Sequence, residues 1–222
     1  MKPRLQIQIL IRKIFHFPKF FIESRYYIWY HSKNVYTKGG IFMTAKECIL
    51  NRRSIRKFKS DAVDHELLKG IIETASYAPS WKHTQITRYV AVEGALKDKI
   101  ADEGTQMFPN NGNIIKNASM LIAVTIIKGR SGYERDGSFS TDRGDGWQMY
   151  DAGVASQTFC LAAHEAGLGT VIMGIFDRPI VSSLLQIPED RELVALIPIG
   201  YADEEPAAPR RKPVDELISF LN

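Results

Sequence analysis

This sequence predicts a single α+β domain, and three observations carry that reading. From Met43 onward, segments with helical apolar spacing are mixed with apolar runs rich in β-branched residues. Those strands do not alternate strictly with helices, which disfavours a doubly wound parallel sheet. One long helix carries so many small and apolar residues that most of its sides must be covered, by a core or by a second subunit.

Taken in order, residues 45–51 read as a short helix. A second helix has apolar positions Val63, Leu67, Leu68, Ile71, Ile72 and Ala75 at helical spacing. Asp61 is its expected cap, and it stops at Ala78-Pro79. Residues 88–92 read as a strand and 95–103 as a charged helix. Residues 120–127 form an unbroken apolar run, the pattern of a strand buried on both faces. Residues 128–146 are polar and Gly-rich, a long loop that serves either as a lid over a site or as a passive insertion. The long helix spans 147–166, with Gly167 as its stop. Further strands are expected at 170–175 and 193–199, a short helix at 179–186, and a terminal helix at 214–221 after Pro213.

The first 42 residues differ from the rest. They hold eight basic residues against one acid, a charge of +7 out of a total of +4, so residues 43–222 carry −3. A mildly acidic main domain gives no support to nucleic-acid binding. Ten aromatics are interleaved with the basic residues of the extension. They allow contact with an anionic membrane surface, although the apolar positions keep no clean helical face and the plainer expectation is an upstream appendage. Gly39-Gly40 would be the linker. The two cysteines, Cys48 and Cys160, have neither a disulfide framework nor zinc-site spacing, and they suit a reducing, cytoplasmic setting. His65-Glu66 lacks the second histidine of a zinc-protease motif, since Lys69 stands there. No metal site is expected. The glycines at 167, 169 and 174 do not form a dinucleotide fingerprint. His164 reads as a core or interface histidine of the long helix rather than a ligand, and Cys160 as a small buried hydrophobe.

Four segments bear donors and acceptors in quantity. Arg52-Arg53-Ser54-Ile55-Arg56-Lys57 places four cations and a hydroxyl in six residues, a pattern suited to phosphate oxygens. Arg210-Arg211-Lys212 is a second cluster near the other end. Residues 78–85, Ala-Pro-Ser-Trp-Lys-His-Thr-Gln, form a polar loop after a helix. Residues 167–174 contain glycines that allow close approach of backbone to a flat ligand.

In this order, Arg-Arg-Ser-x-Arg, Ala-Pro-Ser-x-x-x-x-Gln, Gly-Leu-Gly-Thr and a late Arg-x-Pro resemble the motifs of FMN-dependent nitroreductases. The resemblance runs from about Lys46 to Leu221. It implies a nitroreductase-like fold, a mostly antiparallel sheet flanked by helices in an intertwined homodimer. It also implies FMN as cofactor, held at the phosphate, ribityl chain and pyrimidine edge by Arg52, Arg53, Ser54 and Arg56, with Arg211 closing on the phosphate. Pro79, Ser80 and His83 would approach the flavin of the partner subunit, and Gln85 matches a family glutamine. Ile172, Met173 and Gly174 would lie along the ring. Arg56 would tune the flavin, and no dedicated acid or base is implied. NADH or NADPH would reduce the flavin, and a small-molecule acceptor such as a nitroaromatic or quinone would reoxidise it in ping-pong turnover. Other flavin chemistry, such as reductive dehalogenation, and non-catalytic FMN storage or sensing are the alternatives. Two positions depart from the family pattern. His83 stands where Asn is usual, and Ile86-Thr87 where Pro-Trp is common. A histidine beside the flavin would make its potential respond to pH.

Overall fold

The computed structural model describes residues 43–221; the basic, aromatic extension lies outside the described residues. The elements are α1 (Ala45–Asn51), α2 (His65–Ala75), β1 (Thr87–Val92), α3 (Gly94–Glu103), α4 (Pro109–Asn117), β2 (Met120–Ile127), α5 (Gly146–Glu165), β3 (Gly169–Thr170), α6 (Arg178–Leu184) and β4 (Arg191–Gly200). Two 3-10 turns, Trp81–His83 and Val214–Glu216, complete the set.

The four strands form one sheet in the order β1-β2-β4-β3, with every neighbouring pair antiparallel. β2 lies at the centre. Its residues from Met120 to Val124 and Ile126 are fully buried, as an uninterrupted apolar run requires. Ile100, Ile114 and Ile115 of the helices pack against the strand in one cluster, and its own Ile126 packs with Ile86 and with Ala152 of α5 in a second.

α1 starts on a capping box, in which the Thr44 hydroxyl accepts from the Glu47 amide and the Glu47 carboxylate accepts from the Thr44 amide. α2 starts later than the spacing suggests. Asp64, not Asp61, is the cap, and its carboxylate accepts from the amides of Glu66 and Leu67, each at 3.0 Å. Val63 is the reason, because its side chain is buried and its amide donates to Ser119 Oγ at 2.9 Å, which holds it before the helix.

α4 has no counterpart in the sequence reading. Its Asn- and Gly-rich composition hides it, yet Pro109 opens it and Gly112 lets it lie close on α3. A β-carbon at Gly112 would stand 2.6 Å from Thr105 Oγ1 and 2.7 Å from the Ala101 carbonyl.

The strand expected at 170–175 is reduced to two residues and one isolated bridge, Met173 to Leu196. The register is unbroken across the gap. Val171 falls opposite Pro198, which has no N–H to return, so only the weak Val171 N–H to Pro198 carbonyl bond forms, at 3.4 Å. The expected terminal helix is likewise a single turn. Val214, Leu217, Phe220 and Leu221 are each about two-thirds exposed or more, so no apolar surface among the described residues stabilises a helix there.

α5 forms where the sequence places it. Gln148, Asp151, Ala152, Ala155, Ser156, Phe159, Cys160 and Ala163 form one buried stripe, while Met149 and Tyr150 face outward. Gly167 ends the helix with φ +82°, a left-handed conformation that suits glycine. Phe159 stacks on Tyr89 at 5.3 Å, and the Tyr89 hydroxyl donates to the Ala155 carbonyl. Burial pushes the Tyr89 phenol up to about 12.

Candidate functional site

Immediately after α1 the chain turns into an extended strip laid along the sheet. Ser54 bridges Thr170 in parallel, and the Ile55 amide donates to the Thr170 carbonyl at 3.0 Å. Farther along, Phe58 bridges Ala202, and the Lys59 amide donates to the Tyr201 carbonyl. Ile55 and Phe58 point into the core, so Arg56 and Lys57 face out. The Glu204 carboxylate accepts from the amides of both Arg56 and Lys57. Sequence reasoning missed Glu204, since only the pairing brings it there.

Arg52 and Arg53 are half-buried against the end of α5. Arg53 Nη1 donates to the Leu50 and Arg52 carbonyls, while its buried Nε has no partner. His164 Nε2 is also buried and unpartnered. Burial, and then the charges of Arg52 and Arg53, hold the His164 imidazole below the usual histidine range. Burial raises both the Cys160 and the Cys48 thiols, with Arg52 acting in the opposite sense on each. Buried nitrogens without partners beside two guanidinium groups are what an anion-binding edge would show.

The His164 environment has a pH consequence. In the unfolded chain the imidazole returns to about 6.5. As pH falls below that value the unfolded chain takes up the proton first, so stability complete above it is lost towards the depressed folded value. His164→Gln is expected to flatten the acid side of a Tm-against-pH profile. An equally steep acid limb in the variant would place the sensitivity elsewhere.

The second region is the 79–85 loop. Ser80 anchors it, with its hydroxyl accepting from the Gln85 amide at 2.9 Å and its carbonyl from the His83 amide at 3.0 Å. Lys82, His83 and Gln85 all have positive φ, at 44°, 58° and 48°. Such a conformation costs on the order of 1–3 kcal/mol per non-glycine residue and persists where its surroundings over-determine it. The Gln85 side-chain amide and the His83 ring are hydrogen-bonded to each other at 2.6 Å. Pro79, Ser80 and Gln85 rim a cavity of about 300 Å³ that Arg88, Tyr89 and Asp151 also line.

The 128–146 loop is built into the protein at its root. Ser131 is fully buried, and the Gly129 amide donates to Gln148 Oε1. Lys82 pairs with Glu134 at 2.8 Å, and Trp81 packs on Trp147 at 4.6 Å.

In the third region exposed and buried residues alternate. Ile172 and Gly174 are exposed, whereas the Met173 side chain is buried. The glycines of this stretch divide their work. Gly167 ends a helix with its positive φ, Gly169 admits the side chain of Ile55, and Gly174 has open space where a side chain would stand. Asn111 on α4 donates to the Ile175 carbonyl at 2.9 Å and so steadies this segment. Arg211 is exposed, and its Nη1 donates to the Pro209 carbonyl. No hydrogen bond or ion pair among the described residues joins it to the Arg52–Arg56 strip.

Fold and site together define an α+β protein with a cationic strip on the edge of an antiparallel sheet and a strained polar loop on its long helix. The chain belongs to the nitroreductase family, a family of oxidoreductases: residues 49–201 match the Nitroreductase family profile. A Methanothermobacter thermautotrophicus protein, provisionally named NADH dehydrogenase/NAD(P)H nitroreductase, is 30% identical over 74% of this chain and 80% of its own length. The iodotyrosine dehalogenase 1 homolog of Caenorhabditis elegans is 26% identical over 76% of this chain and 58% of its own. A provisionally named nitroreductase from Desulfovibrio desulfuricans, solved in complex with FMN, superposes with a TM-score of 0.63. It is 26% identical, over 80% of this chain and 96% of that one. Among the described residues no helix is long and apolar enough to cross a membrane.

Proposed function

We propose that this protein binds FMN and uses it to carry reducing equivalents from NADH or NADPH to a small acceptor such as a nitroaromatic or quinone. The observation that carries the reading is the Arg52–Arg56 strip, pinned to β3 through Ser54, with a buried Arg53 nitrogen still lacking an acceptor. A phosphate supplies such an acceptor. Arg52, Arg53 and Ser54 would hold it, and Arg56 would lie towards the pyrimidine edge. There its fixed charge would stabilise the negative charge that builds near N1 on reduction. FMN itself supplies the hydride chemistry, and the protein binds, orients and tunes it. Ile172 and Gly174 would offer outward-facing backbone to the ring, with Met173 contributing backbone only.

A homodimer completes the arrangement. The C-terminal tail leaves five large apolar side chains exposed, and among the described residues Arg211 bonds only locally, to the Pro209 carbonyl. A second copy would cover the former, and it would bring its Pro79, Ser80 and His83 to the flavin, while Arg211 would close on the phosphate. The reducing, cytoplasmic setting suits the two free, buried cysteines.

The test is to purify the protein, record its flavin absorbance, and add NADH or NADPH without oxygen. Rapid bleaching followed by recolouring with a quinone is expected. Colour without bleaching would indicate FMN storage. The likeness to a dehalogenase homolog favours one second reading, flavin-dependent removal of halogen from an aromatic substrate. Release of iodide from an iodophenol by the reduced protein, with no turnover of quinones, would replace the first reading with it.

A further inference from the structure

Asp151 lies on the buried stripe of α5 and is 4% exposed. A carboxylate taken out of water needs good hydrogen bonds to remain there. Its two oxygens each stand 3.0 Å from the Trp81 amide nitrogen, and Oδ2 also accepts from the Ser131 hydroxyl at 2.6 Å. One side chain thus fastens two separate segments to the long helix, the 79–85 loop and the root of the 128–146 loop. The other polar tie between these loops, Lys82 to Glu134, is half-exposed on both sides. An exposed pair of this kind is screened and weak.

Directly beyond the Trp81 amide come the three residues with left-handed backbone, Lys82, His83 and Gln85. Their geometry is what orients the side chains that the FMN reading sends to the flavin. Sequence inspection passes over Asp151, since nothing near it in the chain marks it as different from any other helix aspartate.

We propose that Asp151 is a positioning residue: by gripping the Trp81 amide and the Ser131 hydroxyl, it holds the 79–85 loop in the shape that presents Ser80, His83 and Gln85 to the flavin. The proposal rests on the FMN reading above. The carboxylate acts through where its oxygens stand and not through its charge, and two substitutions separate these effects. Asp151→Asn removes the charge but keeps an oxygen for the Trp81 amide and offers an N–H to Ser131 Oγ. Asp151→Glu keeps the charge and displaces the oxygens by one methylene.

Three measurements are made on the full chain: amide exchange across residues 81–87 without FMN, FMN affinity, and the visible circular dichroism of bound flavin. Asp151→Asn is expected to match the wild type in all three. Asp151→Glu is expected to exchange faster in the loop, to bind FMN about tenfold more weakly, as the loss of one buried hydrogen bond implies, and to change the sign or size of the flavin dichroism. Wild-type affinity and dichroism in Asp151→Glu would overturn the proposal, even with a lowered Tm, because the carboxylate would then be merely structural. A loss of FMN affinity in Asp151→Asn would also overturn it, and this variant decides alone if the glutamate variant does not fold. If the wild type itself takes up no FMN, the functional reading fails and this proposal with it. If the wild type binds FMN and only the variants disagree, positioning alone is lost.

Discussion

Arg52→Ala combined with Arg211→Ala is expected to purify largely colourless, with its helix content retained. Both substitutions remove a guanidinium and leave no new buried group without a partner. Arg52 is half-buried near Cys48, Cys160 and His164, and Arg211 sits on an exposed tail. A hydrogen bond to a charged partner contributes about 1.5–3 kcal/mol. Losing two therefore weakens FMN binding by at least about a hundredfold. Flavin titration followed by fluorescence quenching gives the affinity, and far-ultraviolet circular dichroism gives the helix content. Undiminished FMN binding in the double variant would contradict the phosphate assignment. Arg211→Ala alone is informative in a different way. If it binds FMN as the wild type does, the phosphate site is confined to the Arg52–Arg56 strip, and the tail serves assembly only.

Gly169→Ala is expected to cost about 1–3 kcal/mol of stability, the usual range for overpacking a filled core. A β-carbon at Gly169 would stand 2.7 Å from Ile55 Cγ1, 2.8 Å from its Cβ and 2.9 Å from its Cγ2. Ile55 is buried and branched at Cβ, so rotation of its side chain does not clear the clash. The backbone of the strip must move instead, and it carries Ser54 and Arg56 with it. For a domain of this size the cost corresponds to a fall in Tm of about 2–12 °C. FMN affinity should fall together with Tm. Adding Ile55→Ala should recover part of the affinity, because it removes two of the three clashing atoms. A Tm equal to the wild type in Gly169→Ala would show that the strip and β3 lie farther apart than described.

Much of the secondary structure was legible because periodicity is a local property. The run from Met120 to Ile127 could only be a covered strand, and the small-residue stretch before Gly167 could only be a covered helix. Readings failed where a distant residue decided the outcome. Asp61 and Asp64 are equivalent as caps on sequence, and the bond from Val63 to Ser119 selects Asp64. The strand after Gly169 is cut short by Pro198, about thirty residues away and invisible to any local window. α4 was hidden because Asn and Gly have weak helix propensity, and its helical form depends on Gly112 meeting α3. The terminal segment has helical spacing but no surface among the described residues to bury against.

For the site, residue chemistry was readable and residue geometry was not. Cations, a hydroxyl and glycines in a fixed order sufficed to name the family, since those properties belong to the side chains themselves. The 79–85 loop was recognised by its donors, but its left-handed backbone and the buried carboxylate beneath it were not.

By itself the sequence determined the α+β class, the long covered helix, the buried central strand and the order of the motifs. Each of these is written in residues near one another in the chain. Only the tertiary structure decided that Ser54 pairs with Thr170, that Glu204 caps the strip, that Gly169 serves Ile55, and that Asp151 grips two loops. Each of those contacts joins residues far apart in the chain, and hydrogen bonding and packing are satisfied in space, where sequence distance has no bearing.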